Sequence, residues 1–265
     1  MSHEIRTPIN AVIGMNALIQ REAKETEIQE YAGAVEGSAR NLLSIINDVL
    51  DFSKIESGKM KIVPVAYDLS ILIADSCTLI KARTKEKGIA FAVKNDPLLP
   101  ERLLGDEVRI RQILINLLSN AVKYTEHGKI TLQISFYKKS ENTIILEISV
   151  KDTGIGIKEA EQKKLFDSFQ RVDEEKNRSI QGTGLGLSIT RQLLELMGGT
   201  IHLESIYGQG SVFTVEVPQI IVSDKPMGNF TDEYLKIVCS NQKRSQSGLF
   251  MTGKQILIVD DMEMN

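Results

Sequence analysis

Residues 106–150 read DEVRIRQILINLLSNAVKYTEHGKITLQISFYKKSENTIILEISV, and this stretch decides the fold. Its first part, Asp106–Tyr124, repeats apolar residues every three or four positions, which predicts a helix with one buried face. Its second part alternates apolar and polar residues over 130–136 and again over 144–150, which predicts two half-buried strands. The combination predicts a helix packed against a sheet.

Further elements extend this unit in both directions along the chain. The apolar spacing predicts helices at Leu69–Lys87 and Leu185–Met197, and Gly198 and Gly199 end the second helix. Three more strands are predicted, at Ile89–Val93, Thr200–Ser205 and Ser211–Val217. Because a hairpin joins the last two strands, the expected class is α+β: residues 67–220 form an α/β sandwich in which a mixed sheet carries helices on one face.

The first 62 residues follow a different pattern and predict a separate unit. Apolar residues recur three or four positions apart in two stretches, Ile5–Ile19 and Ile28–Phe52, with polar Asn16 on the seam. The polar segment Arg21–Glu27 connects the two predicted helices. An antiparallel hairpin this short cannot bury so broad an apolar face within itself. We therefore expect a homodimer in which two hairpins form a four-helix bundle.

Composition and charge argue against several function classes. The formal net charge is −3 and the basic residues are scattered, whereas a nucleic-acid surface requires a basic stripe. No apolar run approaches the length of a membrane span, so no membrane contact is expected from these residues. Cys77 and Cys239 lie far apart without metal-site spacing, which is typical of a reduced compartment. The expected location is cytoplasmic, and an upstream membrane anchor in a parent protein remains compatible with it.

The helix at 106–124 carries polar residues that suit a metal and a phosphate. Asn116, Asn120 and Lys123 lie within a stripe about 60° wide beside the apolar face, and Tyr124 lies next to that stripe. Amide oxygens are ligands for Mg²⁺, and lysine binds phosphate. A solvated helix edge would produce the same pattern, so the helix alone leaves both interpretations open.

Two segments rich in glycine follow this helix. Residues 152–156 read DTGIG directly after a strand, where glycines let the backbone approach a flat ligand and the aspartate can accept a hydrogen bond from an amine. Residues 182–187 read GTGLGL and open a helix, whose N–H groups can face a phosphate. The second segment fits neither the dinucleotide fingerprint nor a P-loop. Each segment alone is also typical of an ordinary turn.

The order of these segments resembles the ATP-binding domain shared by histidine kinases, gyrase B, a heat-shock chaperone and mismatch-repair ATPases. The resemblance spans Asp68–Gln219 and includes Gly208-x-Gly210. It implies ATP and Mg²⁺ as cofactors, with Asn120 as the Mg²⁺ ligand and Asp152 as the acceptor for the adenine amine. It further implies that the nucleotide is contacted by Asn116, Lys123, Tyr124, Gly154, Gly156, Phe166, Gly182, Thr183, Gly184, Leu185, Gly186 and Leu187.

The start of the chain separates the branches of this family. Residues 2–8 read SHEIRTP and resemble the phosphoacceptor box of sensor histidine kinases, which the gyrase-like and chaperone relatives lack. The resemblance implies that His3 accepts a phosphoryl group, that Glu4 is the general base, and that Thr7 places a water for a reverse, phosphatase reaction. Neutral imidazole is a nucleophile near neutral pH, which suits this role. A histidine at a chain end is otherwise usually a surface residue.

The end of the chain predicts a linker followed by a second structural unit. Residues 221–252 are polar, with frequent Ser, Asn, Gln, Lys and Gly. Residues 253–265 contain a strand that ends in Asp260 and Asp261, and they resemble the truncated start of a receiver domain. A hydrophobic strand with a polar end would give the same pattern. The resemblance implies a hybrid kinase whose partner is a receiver domain, in cis or in a separate response regulator.

Together these patterns predict the core of a two-component sensor histidine kinase. It would autophosphorylate His3 with ATP and pass the phosphoryl group to a receiver aspartate. Two alternatives come from other classes: an ATP-driven conformational clamp, and an ATP-binding scaffold without kinase activity. His127 and His202 match no motif and are expected to be structural.

Overall fold

A helical hairpin forms the first part of the chain. The computed structural model describes residues 2–23, 25–167 and 184–229, with side chains from Thr7 onward. Helix α1 covers Ser2–Glu22 and helix α2 covers Thr26–Glu56, as the apolar spacing predicted. Asn16 is only 4% exposed on the seam between them, and its Nδ2 donates to the Ala32 carbonyl at 2.6 Å. This bond satisfies a buried amide that would otherwise destabilise the hairpin.

A sheet of seven strands forms the second part of the chain. The strands are β1 (Val65–Asp68), β2 (Ala90–Asn95), β3 (Pro100–Gly105), β4 (Lys129–Lys138), β5 (Thr143–Asp152), β6 (Thr200–Ile206) and β7 (Gly210–Pro226). Their order is β1-β3-β7-β5-β4-β2. Strand β6 pairs with the first half of β7, on the same side on which β3 pairs with the second half. Strands β2 and β4 are parallel and the other pairs are antiparallel, so the sheet is mixed, as predicted.

Among the described residues, four helices accompany the sheet. They are α3 (Leu69–Glu86), α4 (Glu107–Tyr124), the short α5 (Glu159–Gln162) and α6 (Gly186–Leu196). Asp68 and Asp106 cap α3 and α4 by accepting backbone N–H bonds in the first turn. The alternating residues of β4 and β5 that face these helices are almost fully buried, and each contributes roughly 1.5–3 kcal/mol. Within the described part of the chain, no helix is long and apolar enough to cross a membrane.

Two strands at one edge of the sheet were not predicted. Strands β1 and β3 are short, and β3 begins with proline followed by two charged residues, Glu101 and Arg102. So short and charged a segment has no clear period of two, and it becomes a strand because its backbone pairs with the second half of β7. Pairing between distant segments therefore determines this edge.

Strand β7 is longer than the sequence indicated. It continues to Pro226, so residues 221–226 lie in the sheet and not in the predicted linker. The reason is again pairing, because Ile221 lies opposite Leu103 of β3. After the strand, Met227 N donates to Leu99 O at 2.7 Å and Gly228 N donates to Pro97 O at 3.0 Å. The rest of the predicted linker and the predicted receiver start at 253–265 lie outside the described residues.

Candidate functional site

A cavity of about 770 Å³ lies where the end of α4, the end of β5 and the start of α6 meet. Its volume is within the range of small-molecule sites. The predicted site residues that line it are Asn116, Asn120, Lys123, Tyr124, Asp152, Gly156, Gly184, Gly186 and Leu187. Gly154, Phe166 and Leu185 do not line it, and Gly182 and Thr183 lie outside the described residues. Three segments that are distant in sequence thus converge on one space.

The Asn116 side chain connects α4 to α6. Its Nδ2 donates to Thr190 Oγ1 at 2.8 Å. Its Oδ1 lies so close to Gly186 that a Cβ added to that glycine would be 2.5 Å from the amide oxygen. A side chain at position 186 would therefore displace the Asn116 amide, which links α6 to α4 beside the cavity.

Asn120 and Lys123 follow on the same side of α4. The Asn120 side chain is half-buried on the cavity, and its amide makes no hydrogen bond to any described residue. The Lys123 ammonium lies 5.0 Å from the centre of the Tyr124 ring, in the geometry of a cation–π contact. An amide oxygen that no described residue engages and an ammonium group on the same cavity suit a metal ion and a phosphate.

The Asp152 carboxylate lies at the last residue of β5 and is 6% exposed. Its Oδ1 accepts from Gly154 N at 2.9 Å and from Ser211 N at 3.3 Å, which leaves Oδ2 available toward the cavity that this residue lines. Burial raises the pKa of this carboxyl above its ordinary value, and the two N–H groups partly offset the rise. A buried carboxylate with one unengaged oxygen can accept a hydrogen bond from an amine.

The loop after β5 is fixed by backbone contacts. Ile155 N donates to Tyr124 O at 3.2 Å, and Gly208 N donates to Ile155 O at 2.7 Å. A Cβ on Gly154 would lie 2.2 Å from the Tyr124 carbonyl oxygen, so only glycine fits there. Gly154 therefore packs the loop against the end of α4, which explains why it does not line the cavity.

Residues that sequence reasoning missed form another wall of the cavity. From α2 come Gly37, Arg40, Asn41, Ser44, Ile45 and Asp48, and from α3 come Arg83, Glu86 and Lys87. Lys87 Nζ also donates to the Val122 carbonyl at 2.8 Å. The available signal was the polar stripe of α2, whose members recur three or four positions apart within an otherwise apolar helix. Among the described residues, the wall and Lys123 bring four cationic side chains and two acidic ones, Asp48 and Glu86, to one space, and this excess of positive charge suits an anionic ligand.

The predicted phosphoacceptor residues lie at the start of α1. His3 and Glu4 are in its first turn, and their side chains lie outside the described part of the chain. Thr7 lies one turn further along and is exposed. The structure thus gives the place of these residues along the hairpin, and their chemical roles stay predictions.

Two family models match the chain. Residues 1–58 match the His Kinase A (phospho-acceptor) domain. Residues 105–221 match the Histidine kinase-, DNA gyrase B-, and HSP90-like ATPase. The first match covers the hairpin, and the second covers the part of the sheet unit that surrounds the cavity.

Individual relatives agree with these matches. The chain is 40% identical over 220 residues to Hybrid signal transduction histidine kinase B of Dictyostelium discoideum, covering 82% of this chain and 11% of that protein. It is 42% identical over 219 residues to Sensor protein GacS of Pseudomonas syringae pv. syringae, covering 82% and 24%. The chain therefore spans a quarter or less of the length of these two relatives.

A solved structure gives the same assignment. Full-length ShkA in complex with AMPPNP superposes with a TM-score of 0.65 at 33% identity, covering 84% of this chain and 45% of that one. The hairpin and the sheet unit thus occur together in a related protein. The chain belongs to the histidine kinases, with a His Kinase A phospho-acceptor domain followed by an ATP-binding domain of the ATPase type that they share with gyrase B and HSP90.

Proposed function

We propose that this chain catalyses the phosphorylation of His3 by ATP. One observation carries the proposal: Asn120, Lys123 and Asp152 surround a single cavity in a chain whose first helical turn contains a histidine. Asp152 Oδ2 would accept a hydrogen bond from the adenine amine, and Lys123 would neutralise phosphate charge. The backbone N–H groups of Gly184–Gly186, at the start of α6, would bind phosphate oxygens.

The residues present also fit a magnesium ion beside the phosphates. Amide oxygens are among the ligands of Mg²⁺, and Asn120 Oδ1 is not engaged by any described residue. When bound, Mg²⁺ would neutralise charge that develops on the transferring phosphoryl group. Asn120 would hold the ion, and Asn116 would keep the adjoining start of α6 in place through its bond to Thr190.

In the proposed reaction, a ring nitrogen of His3 attacks the γ-phosphorus of ATP. A nitrogen–phosphorus bond forms, the bond from the γ-phosphorus to the bridging oxygen breaks, and ADP leaves. Glu4 takes the proton from the second ring nitrogen, which prevents positive charge from remaining on the phosphorylated ring. Positioning and charge neutralisation provide most of the catalysis in such transfers.

The next acceptor would be an aspartate of a receiver domain. Support comes from the resemblance of residues 253–265 to a receiver start, with its pair Asp260 and Asp261, and from the hybrid kinase among the relatives. Thr7, one helical turn from His3, would place a water for hydrolysis of the partner's aspartyl phosphate in the reverse, phosphatase reaction.

We also propose that the hairpin forms a homodimer. Nine large apolar side chains of α1 and α2 that do not line the cavity are exposed in the single chain: Val12, Met15, Leu18, Ile19, Ile28, Tyr31, Val35, Leu42 and Val49. An apolar face this wide is more typical of an interface than of a solvated surface. A second hairpin would cover it in a four-helix bundle.

The proposal is tested by incubating the chain with γ-labelled ATP and Mg²⁺. We expect protein-bound label that is labile in acid and stable in base, because phosphohistidine has that stability, and we expect His3→Gln to abolish it. The chain has three histidines, so the double variant His127→Gln/His202→Gln is a matched control and should keep the label. Label that appears only as free phosphate would contradict the proposal and favour an ATP-driven clamp.

A further inference from the structure

A polar cluster joins the hairpin to the ATP-binding domain beside the cavity. Asp51 Oδ2, on α2, accepts from Arg109 Nη1 at 3.1 Å and from Gln112 Nε2 at 2.9 Å, both on α4. Arg109 Nη1 also donates to Gln112 Oε1 at 2.8 Å. The side chains of Asp51 and Arg109 are only 16% and 19% exposed. These three residues are here named the Asp51 clasp.

The surroundings of the clasp make it more than a surface ion pair. Exposed ion pairs contribute little to stability because solvent screens them, whereas partly buried pairs are screened less. The connector between the domains is held next to it, since Val63 N donates to Asp106 Oδ2 at 2.9 Å at the start of α4. A further bond, from Gln192 Nε2 to Glu56 Oε1 at 3.1 Å, is exposed and links α6 to the end of α2.

The clasp lies on the same helix faces as the cavity. At 100° per residue, Arg109, Gln112, Asn116 and Asn120 fall within a sector of about 80° on α4. On α2, the residues that line the cavity between Gly37 and Asp48 continue at helical spacing to Asp51. The clasp therefore closes one end of the gap between the two helices, and the cavity occupies the rest.

The hairpin register gives the height of His3 along α2. Asn16 of α1 contacts Ala32 of α2. The two helices are antiparallel, so His3, which lies 13 residues before Asn16, is level with Ile45, which lies 13 residues after Ala32. The contact between the longer side chains of Gln20 and Glu36 moves this level toward Ser53. Ile45 lines the cavity and Asp51 lies within the same interval, so the turn with His3 is level with the boundary between cavity and clasp.

We propose that Asp51, Arg109 and Gln112 are positioning residues that fix the ATP-binding domain along α2 at the height of His3. The inference rests on the proposed phosphorylation of His3 and adds how the two domains are aligned for it. None of the three clasp residues lines the cavity. It determines which turn of the hairpin faces the phosphate end of the cavity.

The main test is Asp51→Asn, which removes the charge and keeps the size of the side chain. We expect the phosphorylation rate of His3 at saturating ATP to fall at least about tenfold, as for the loss of hydrogen bonds to a charged group. The affinity for a fluorescent ATP analogue should change by no more than about twofold, because the cavity residues are intact. An unchanged rate, or a loss confined to nucleotide affinity, would overturn the positioning role.

The chain provides a matched control on the same helix. Arg111 Nη1 pairs with Asp75 Oδ2 at 3.0 Å, within the ATP-binding domain and away from the hairpin. Asp75→Asn removes a comparable ion pair of α4 without affecting the clasp, so the rate should stay near that of the unchanged chain. An equal loss in both variants would mean that any α4 ion pair matters for stability alone, which would overturn the proposal.

Charge reversal tests the contact directly. Asp51→Lys places two cations together and should lower the rate further than Asp51→Asn. The double variant Asp51→Lys/Arg109→Glu restores an opposite pair, and the Gln112 amide can turn to serve the new partners. We expect the double variant to recover most of the rate, and a double variant as slow as Asp51→Lys would contradict the contact.

A readout independent of catalysis separates this inference from the proposed function. The connector contains the exposed residues Lys59 and Lys61, which trypsin can cleave when the domains separate. Cleavage there, followed by mass spectrometry, should be faster in Asp51→Asn than in Asp75→Asn. Equal cleavage overturns the clasp. Faster cleavage in a chain that forms no phosphohistidine supports the clasp and refutes the proposed function.

Discussion

The Asp152 carboxylate links ligand binding to proton binding. Burial holds its pKa above the ordinary value of 3.8, although the N–H groups of Gly154 and Ser211 lower it in part. The folded chain therefore binds this proton more tightly than the unfolded chain does. As a result, the stability that this group contributes is greatest below pH 3.8 and is lost as the pH rises through the raised pKa.

We expect the nucleotide affinity to depend on this titration. Only the ionised carboxylate has both oxygens available as acceptors, so the affinity for ADP should fall as the pH is lowered through the raised pKa, at a higher pH than for an aspartate with an ordinary pKa. Asp152→Asn should bind ADP about tenfold more weakly or worse. Its affinity should also lack the pH dependence that comes from ionisation of the Asp152 carboxyl. Calorimetric titrations of both chains across the range measure it, and profiles of the same shape would contradict the expectation.

The side chains of the cavity show how far sequence reasoning reaches. Asn120 and Asp152 were predicted because residue type, spacing and segment order together indicate their chemistry. The wall that contains Arg40 and Asp48 was missed, because the polar stripe of α2 marks a face of that helix but does not indicate that α4 lies opposite it. Phe166 was predicted to contact the nucleotide, but its half-buried side chain does not line the cavity, whereas the neighbouring Leu165 does.

Among the helices and strands, local periodicity was sufficient where an element buries a regular face. Helix α4 and strands β4 and β5 agree with prediction to within two residues at each end. Strand β3 was missed because its strand conformation depends on a partner more than a hundred residues away in sequence. Long-range pairing, and not weak propensity alone, thus limited the prediction of the sheet edge.

Asn16 offers a test of how the hairpin specifies its register. A single polar residue on an apolar seam fixes register at a cost in stability. Asn16→Leu should therefore raise the thermal midpoint by about 2–4 °C, corresponding to about 1 kcal/mol, and should broaden the distribution of oligomers. Differential scanning calorimetry and light scattering measure these two quantities.

A second asparagine on the hairpin provides the control. Asn10 is exposed on α1, and Asn10→Leu should leave the midpoint within about 1 °C, as surface substitutions usually do. If Asn16→Leu were less stable than the original chain, the bond from Asn16 to Ala32 would be a net contributor to stability, and the register argument would be wrong.

At the level of the whole molecule, we expect that a substitution can abolish dimerisation without changing the affinity for the nucleotide. Apart from Ile45, none of the exposed apolar residues of the hairpin lines the cavity, so a second hairpin could cover them without changing the residues that bind the nucleotide. Met15→Glu, at a position 68% exposed in the single chain, should convert a dimer into a monomer of 29.5 kDa. Its affinity for ATP should stay within about twofold, because no cavity residue changes.

The matched control places the same charge on an equally exposed residue outside the hairpin. Leu98 is 69% exposed and lies in the loop between β2 and β3, so Leu98→Glu should leave the dimer intact. Light scattering measures the mass of both variants. A dimer that persists in Met15→Glu, or a monomer in Leu98→Glu, would place the interface elsewhere.

Helix α4 carries Arg109 near one end and Asn120 near the other, about 16 Å apart along its axis. Over that length, a small tilt at one end of the helix moves the other end by several ångströms. A tilt of about 10° around the arginine would sweep the asparagine through about 3 Å, and a misplacement of about 1 Å can already slow a reaction about a hundredfold. Small rotations of the hairpin, well below the size of a domain movement, would thus be sufficient to move the phosphate end of the cavity into or out of alignment with His3.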